Sequence, residues 1–297
     1  MSPNKKLFFV IFLLGSFSLE GCRSDNANKN SSNNGNKNIP AANSNKDPIN
    51  MKNKEFISHL PAGFKMPAGE TGQKLLEEYG AVFVAQGGAA APNTVIFKDE
   101  AEVAAWQAGL SVSKETIGGI AIELQTPAMN ALKEAVREAG QNNLQITPRG
   151  NDAARRSYGE TEELWASRVT PGLQHWVEKG KLSEAEAARI RALSPFEQVP
   201  EIFKLEEQGI YFSKDLSKPI IYSVAPPGAS QHISMLALDV VENDNPKVRE
   251  ILARHGWFQT VVSDLPHFTF LGTNEDQLPG LGLKESSSGG RSFWIPG

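Results

Sequence analysis

The hydrophobic rhythm of this chain changes part-way along, and that change limits what it can fold into. Before Ser213 most apolar segments carry helical spacing or helix-start signals; after it, short continuous apolar runs dominate. Helices first and strands later, joined by antiparallel-type connections, argue for an α+β fold. The expected architecture is an antiparallel sheet with a largely helical N-terminal portion packed on it.

Ordered structure is expected from about Phe56. Residues 95–97 read as a short strand and 99–110 as a helix. Thr126-Pro127 opens a helix with Thr126 as cap and Pro127 at the first helical position; Met129, Leu132, Val136 and Ala139 line one face and Gly140 stops it. Residues 144–147 read as extended and 151–167 as a helix. Ser183 with Glu186 makes a capping box for a helix to about Leu193, and 199–209 is a further helix. Beyond the change, 220–224, 235–241 and 268–271 read as strands, and a helix from Asn245-Pro246 through Ala253 joins the last two.

The N-terminal residues read as targeting sequence. Lys5 and Lys6 precede an apolar core at 7–14 that is too short for a comfortable membrane span, and Leu19-Glu20-Gly21-Cys22 resembles a bacterial lipobox, with Glu20 an unusual middle residue. Residues 1–21 are thus expected as a lipoprotein signal peptide and Cys22 as the acylated mature N-terminus. Each buried CH₂ contributes about 0.8 kcal/mol, so several chains together anchor a protein stably. Residues 22–50, rich in Asn, Ser and Lys, cannot bury enough apolar surface to offset ordering and read as a flexible tether. The remainder divides into a helical or mixed portion at 51–140, integrated with a core at 141–275, and a C-terminal tail at 276–297. The expected location is outside a bacterial membrane, lipid-anchored and facing the cell wall.

A net charge of −4 argues against a nucleic-acid partner, and a single cysteine excludes an intrachain disulfide. No G-x-S-x-G elbow supports a serine hydrolase. The chemistry-bearing residues gather late: His232, Asp239, Asp264 and His267. Two imidazoles and a carboxylate give a zinc ion three ligands and leave a fourth position for the attacking water. His232 falls in the turn after Pro226-Pro227-Gly228, Asp239 within a strand, and His267 at the start of another. If those strands are neighbours, the three converge. Spacing alone does not decide this, because a lone histidine is more often structural or at the surface.

The surrounding sequence adds to it. Ser230-Gln231-His232-Ile233-Ser234-Met235-Leu236-Ala237-Leu238-Asp239 resembles the Ser-x-His-x-x-Gly-x-Ala-x-Asp motif of VanY-like zinc D-alanyl-D-alanine carboxypeptidases. Asp264-Leu265-Pro266-His267 and the aromatic run to Gly272 resemble that family's Glu-x-x-His motif. The resemblance is clear over about residues 219–272. It implies His232, Asp239 and His267 as Zn2+ ligands and Asp264 as the catalytic carboxylate; Ser230 is a candidate hydrogen-bond donor to substrate and fits a turn residue equally well. It also implies an upstream substrate-site arginine, assigned to Arg149. Arg155 and Arg156 compete for that role but otherwise fit a solvated helix face.

Three positions depart from the family pattern: Met235 replaces a glycine, Asp264 is one methylene shorter than the family Glu, and Pro266 replaces an aromatic residue. The implied activity is trimming of D-Ala-terminated peptidoglycan stem peptides. The alternatives are a zinc-containing protein that binds wall peptides without cutting, as hedgehog-type domains use this fold for interaction, and an L,D- or D,D-peptidase of different cut site. Of the other histidines, His255 suits a helix C-terminus, and His59 and His175 have no evident partner. Trp165, Trp176 and Trp257 read as core.

Overall fold

The structure, a computed structural model, describes residues 54–297. The expected signal peptide, Cys22 and the tether lie outside the described residues. Among those described, no helix is long and apolar enough to cross a membrane.

Helices α1 (Lys54–Ser58), α2 (Glu70–Tyr79) and α3 (Glu100–Gln107) come first. Asp99 caps α3 by accepting from the Glu102 N–H. A hairpin follows, β1 (Val112–Ile117) with β2 (Ile120–Gln125), closed by Gly118-Gly119 at φ 56° and 86°. Positive φ at both turn residues matches the twist of the flanking strands and suits glycine. Residues 95–97, expected as a strand, form none; the isolated β-bridge in this part of the chain joins Lys65 to Thr94.

Helix α4 (Thr126–Gln141) buries Ala128, Met129, Leu132, Ala135 and Ala139. Its cap position is Gln125 rather than Thr126. The Gln125 side chain is spent elsewhere, pairing with both backbone groups of Ala90 and with the Ser234 carbonyl, each at 2.8 Å. Helices α5 (Tyr158–Glu178), α6 (Glu184–Arg191) and α7 (Pro195–Glu206) follow, each N-capped by a serine: Ser157, Ser183 and Ser194. The helix expected from 151 therefore begins seven residues later, and 151–157 is a loop. Residues 220–224 are not a strand either; Ile220–Tyr222 is a short 3₁₀ turn, with the Tyr79 hydroxyl on the Ile221 carbonyl at 3.2 Å.

The central sheet has β3 (Ala237–Asp239) and, after α8 (Pro246–Arg254), β4 (Trp257–Phe258) and β5 (His267–Phe270). Its order is β3-β5-β4, antiparallel throughout, with Ala237 opposite Thr269, Leu238 opposite Phe268 and Asp239 opposite His267. Residues 147–149 run beside the free edge of β3: Val241 N–H donates to the Thr147 carbonyl and Arg149 N–H to the Asp239 carbonyl, both at 2.9 Å. The stretch expected as a C-terminal tail carries a second hairpin, β6 (Leu283–Ser288) with β7 (Arg291–Pro296). It is joined to β4 by Trp294 N–H donating to the Gln259 carbonyl, and Phe293 is fully buried.

One continuous apolar core runs from Phe56 and Leu75 through Trp165 to Phe268 and Trp294. The described residues are thus an α+β assembly of helices and small antiparallel sheets, with the helical portion and the central sheet sharing that core.

Candidate metal centre

The approach to His232 is set by Gly228. Its φ of 77° and its closeness to Phe97 leave no room for a side chain, since a Cβ there would lie 2.0 Å from the Phe97 carbonyl oxygen. Phe97 N–H donates to the Gly228 carbonyl in return. The 3₁₀ turn Gln231–Ser234 follows and puts His232 in the interior at 2 % exposure. Met235 then takes the left-handed conformation, φ 53°. This is the position where the resembling motif has glycine, and a residue with a Cβ costs roughly 1–2 kcal/mol there.

From that turn β3 carries Asp239 to a point directly opposite His267 on β5. His232 Nε2 and His267 Nδ1 lie 3.2 Å apart; Asp239 Oδ1 is 3.4 Å from the first and 3.3 Å from the second. These three atoms form a nearly equilateral triangle. Zinc with bonds of about 2.0–2.1 Å to nitrogen and oxygen gives a tetrahedron whose edges are roughly 3.3–3.4 Å. The triangle matches one face of that tetrahedron.

The groups behind the triangle fit the same role. His232 Nδ1 sits 3.0 Å from the Ala154 carbonyl oxygen, and His267 Nε2 sits 2.9 Å from Gln231 Oε1. Neither oxygen has a proton to give, so each of these nitrogens is the N–H and the other nitrogen of each ring turns a lone pair inward. Two lone pairs and a carboxylate oxygen facing one another repel unless a cation lies among them. Asp239 turns its second oxygen to Arg156, whose Nη2 donates at 3.0 Å. An outer partner on every ligand is what metal sites use to fix ligand orientation.

Burial lowers the His232 pKa, and Arg156 lowers it further, while Asp239 pulls the other way. The ring is held in its neutral, ligating form. Burial works against the charge of Asp239, yet the two imidazoles beside it hold its carboxyl well below the usual range. His232, Asp239 and His267 form the group of side chains able to hold a metal ion among the described residues.

The triangle faces a cavity of about 210 Å³ whose wall includes Arg156, Ser230, His232, Asp264 and His267, with Tyr79, Leu164, Tyr222, Val224 and Val261 adding apolar surface. Ser230 is 8 % exposed there. Asp264 is exposed on the same wall, and its carbonyl accepts the His267 N–H at 3.1 Å.

Arg149 is the site residue the structure does not bring in. Its side chain is exposed and not part of the cavity wall, because its segment is tied down as the strand-like neighbour of β3. Arg156 lines the cavity and pairs with Asp239, and it is not on a solvated helix face. The loop 153–156 wraps the ligands: Asp239 N–H donates to the Ala153 carbonyl, and Arg156 N–H to the His232 carbonyl. Arg155 points elsewhere, to Glu123 and Gln107. The sequence held a signal for this loop. Ser157 with Glu160 is a full capping box in the structure, and that spacing ends the loop one residue after Arg156. Gln231 was missed as well; nothing in its type or position distinguishes it without the fold.

No protein-family model and no curated protein matches this sequence. Among solved structures, the chain is similar to a variant of the vancomycin-resistance D,D-pentapeptidase VanY from a VanB-type resistance cassette, crystallised in complex with Zn(II). The identity is 16 %, the match covers 56 % of this chain and 82 % of that one, and the TM-score is 0.32. At that score the likeness is distant, and the metal centre stands on its own distances.

Proposed function

We propose that this protein is a zinc-dependent peptidase that trims D-Ala-terminated peptidoglycan stem peptides, held at a bacterial membrane by acyl chains on Cys22. The observation that carries the reading is the triangle of His232, Asp239 and His267, with ring nitrogens and a carboxylate oxygen 3.2–3.4 Å apart. The D-Ala substrate rests on the sequence motifs around those residues, and the location on the lipobox.

Zinc bound there would supply a Lewis acid and lower the pKa of its bound water to about 7. Asp264 accepts the proton of the attacking water as the new C–O bond forms. It then delivers that proton to the amine as the C–N bond breaks. Arg156 steadies Asp239 and offers its remaining N–H groups to the developing oxyanion or to the terminal carboxylate of the peptide. Ser230 donates to the peptide backbone from the cavity wall. Tyr222, Leu164 and Val261 exclude water beside it.

The test is Asp264→Ala assayed for D-Ala release from a D-Ala-D-Ala peptide. Zinc is retained and turnover falls by about 10²–10⁴-fold. Unchanged turnover removes Asp264 from the mechanism. A second reading, a zinc protein that binds the wall peptide without cutting it, is favoured by the exposed position and short side chain of Asp264. Peptide binding with stoichiometric zinc and no amine release would establish it.

A further inference from the structure

The turn that supplies the first ligand also supplies the anchor of the last. Gln231 and His232 are consecutive, and their side chains serve opposite sides of the centre. His232 offers Nε2 to the triangle, while Gln231 reaches behind β5 to His267. Gln231 is 3 % exposed and its amide is occupied at both ends. Oε1 accepts from His267 Nε2 at 2.9 Å and from the Thr269 hydroxyl at 2.5 Å; Nε2 donates to the Tyr79 carbonyl at 2.9 Å. The Tyr79 bond orients the amide, because a carbonyl accepts only from the NH₂ end. The Thr269 hydroxyl, itself 2.6 Å from the Thr260 hydroxyl, reinforces that orientation.

From this network we infer that Gln231 is the positioning residue for metal capture: it holds His267 as the Nε2–H tautomer and aims its Nδ1 lone pair at the ion. The inference rests on the zinc reading proposed above. His232 receives the same service from a backbone carbonyl, which no side-chain substitution can remove. Gln231 is therefore the place where ligand orientation can be tested by mutation. Its adjacency to His232 also ties the two halves of the centre together, so that ordering the turn and orienting the β5 imidazole are one event.

The experiment measures zinc affinity of the folded protein by competition with a chelator, in wild type, Gln231→Leu and Gln231→Glu. Leucine fills similar volume without an acceptor, and the zinc Kd should rise about 10–100-fold, the usual effect of losing an outer partner of a ligating histidine. Glutamate keeps the acceptor for His267 but sets a carboxylate oxygen against the Tyr79 carbonyl where the amide donated, so its Kd should rise less than that of Gln231→Leu. Equal affinity in wild type and Gln231→Leu overturns the inference. So does equal loss in both variants, which would mark a packing role.

Should Gln231→Leu fail to fold, ¹⁵N-histidine NMR of the wild-type zinc form decides alone. His267 is expected to be protonated at Nε2 and metal-bound at Nδ1; the reverse tautomer contradicts the proposal. Absence of zinc binding by wild type is a separate outcome that removes the metal reading itself.

Discussion

Two clusters in this protein join a histidine to a carboxylate, and they differ in what surrounds them. His232, Asp239 and His267 meet in the interior, with ring exposures of 3 % and 5 %. His255 meets Glu138 at 2.7 Å where α8 ends against α4, but the third member there is Arg254, and the side chains are 24 %, 29 % and 54 % exposed. At the surface the carboxylate is satisfied by donors that the protein already owns; Arg254 and His255 lower the Glu138 pKa by hydrogen bonding. In the interior two ring lone pairs and one carboxylate oxygen are aimed at a single point. The composition is nearly alike. The chemistry differs because one centre turns inward what the other neutralises.

The sharpest way to break that comparison is to exchange the outcomes of alanine substitution. His232→Ala should abolish stoichiometric zinc binding, read by metal analysis of the purified protein. Asp264→Glu offers a smaller effect on the same centre. It restores the missing methylene and should raise turnover of a D-Ala-D-Ala peptide several-fold while leaving zinc content unchanged; a fall in turnover would mean that the shorter side chain is matched to this cavity.

Glu206 shows what burial does to a carboxylate without imidazoles. It accepts the Ile220 N–H at 2.6 Å and the Phe212 N–H at 3.3 Å, and burial pushes its pKa up to about 7. Between the ordinary value near 4.3 and about 7 the folded state binds more protons than the unfolded one, so wild-type stability should fall as pH rises through that window and level off above it. Glu206→Gln should remove the slope and be more stable at pH 8 by at most roughly 4 kcal/mol, measured by urea unfolding across pH. A slope unchanged by the substitution would place its origin elsewhere. The smallest effect belongs to the surface cluster. His255→Ala should keep full zinc content and change stability by no more than about 1 kcal/mol.

The same contrast explains what the sequence disclosed. The convergence of His232, Asp239 and His267 is legible because a motif fixes their order and because Asp239 and His267 sit near strand ends that a short antiparallel pair brings together. The helices with strong signals, those capped by Asp99, Ser183 and Asn245, lie close to where they were expected.

Two hairpins were overlooked although both carry the same mark, a Gly-Gly pair between alternating segments. At Gly118-Gly119 only a turn was read, and at Gly289-Gly290 polar Ser residues masked β6. Residues 220–224 have the apolar, β-branched composition of a strand. Tertiary contacts override that tendency, as the Glu206 carboxylate and the Tyr79 hydroxyl claim their backbone groups. That Arg156 rather than Arg149 lines the cavity is not legible, because distance along the chain says nothing about which way a loop folds back. The outer partners, Ala154 and Gln231, could not be read at all; a backbone carbonyl has no sequence signature, and a glutamine acquires a role only from what it touches.

The central claim is that one divalent cation is held by His232, Asp239 and His267. Zinc titration of the protein, followed by X-ray absorption at the zinc edge, tests it most directly. One zinc per chain, with two imidazole nitrogens and a carboxylate oxygen at about 2.0–2.1 Å and loss of the signal in His267→Ala, is the expected result. Failure to take up stoichiometric zinc, or uptake that His267→Ala leaves unchanged, would contradict it.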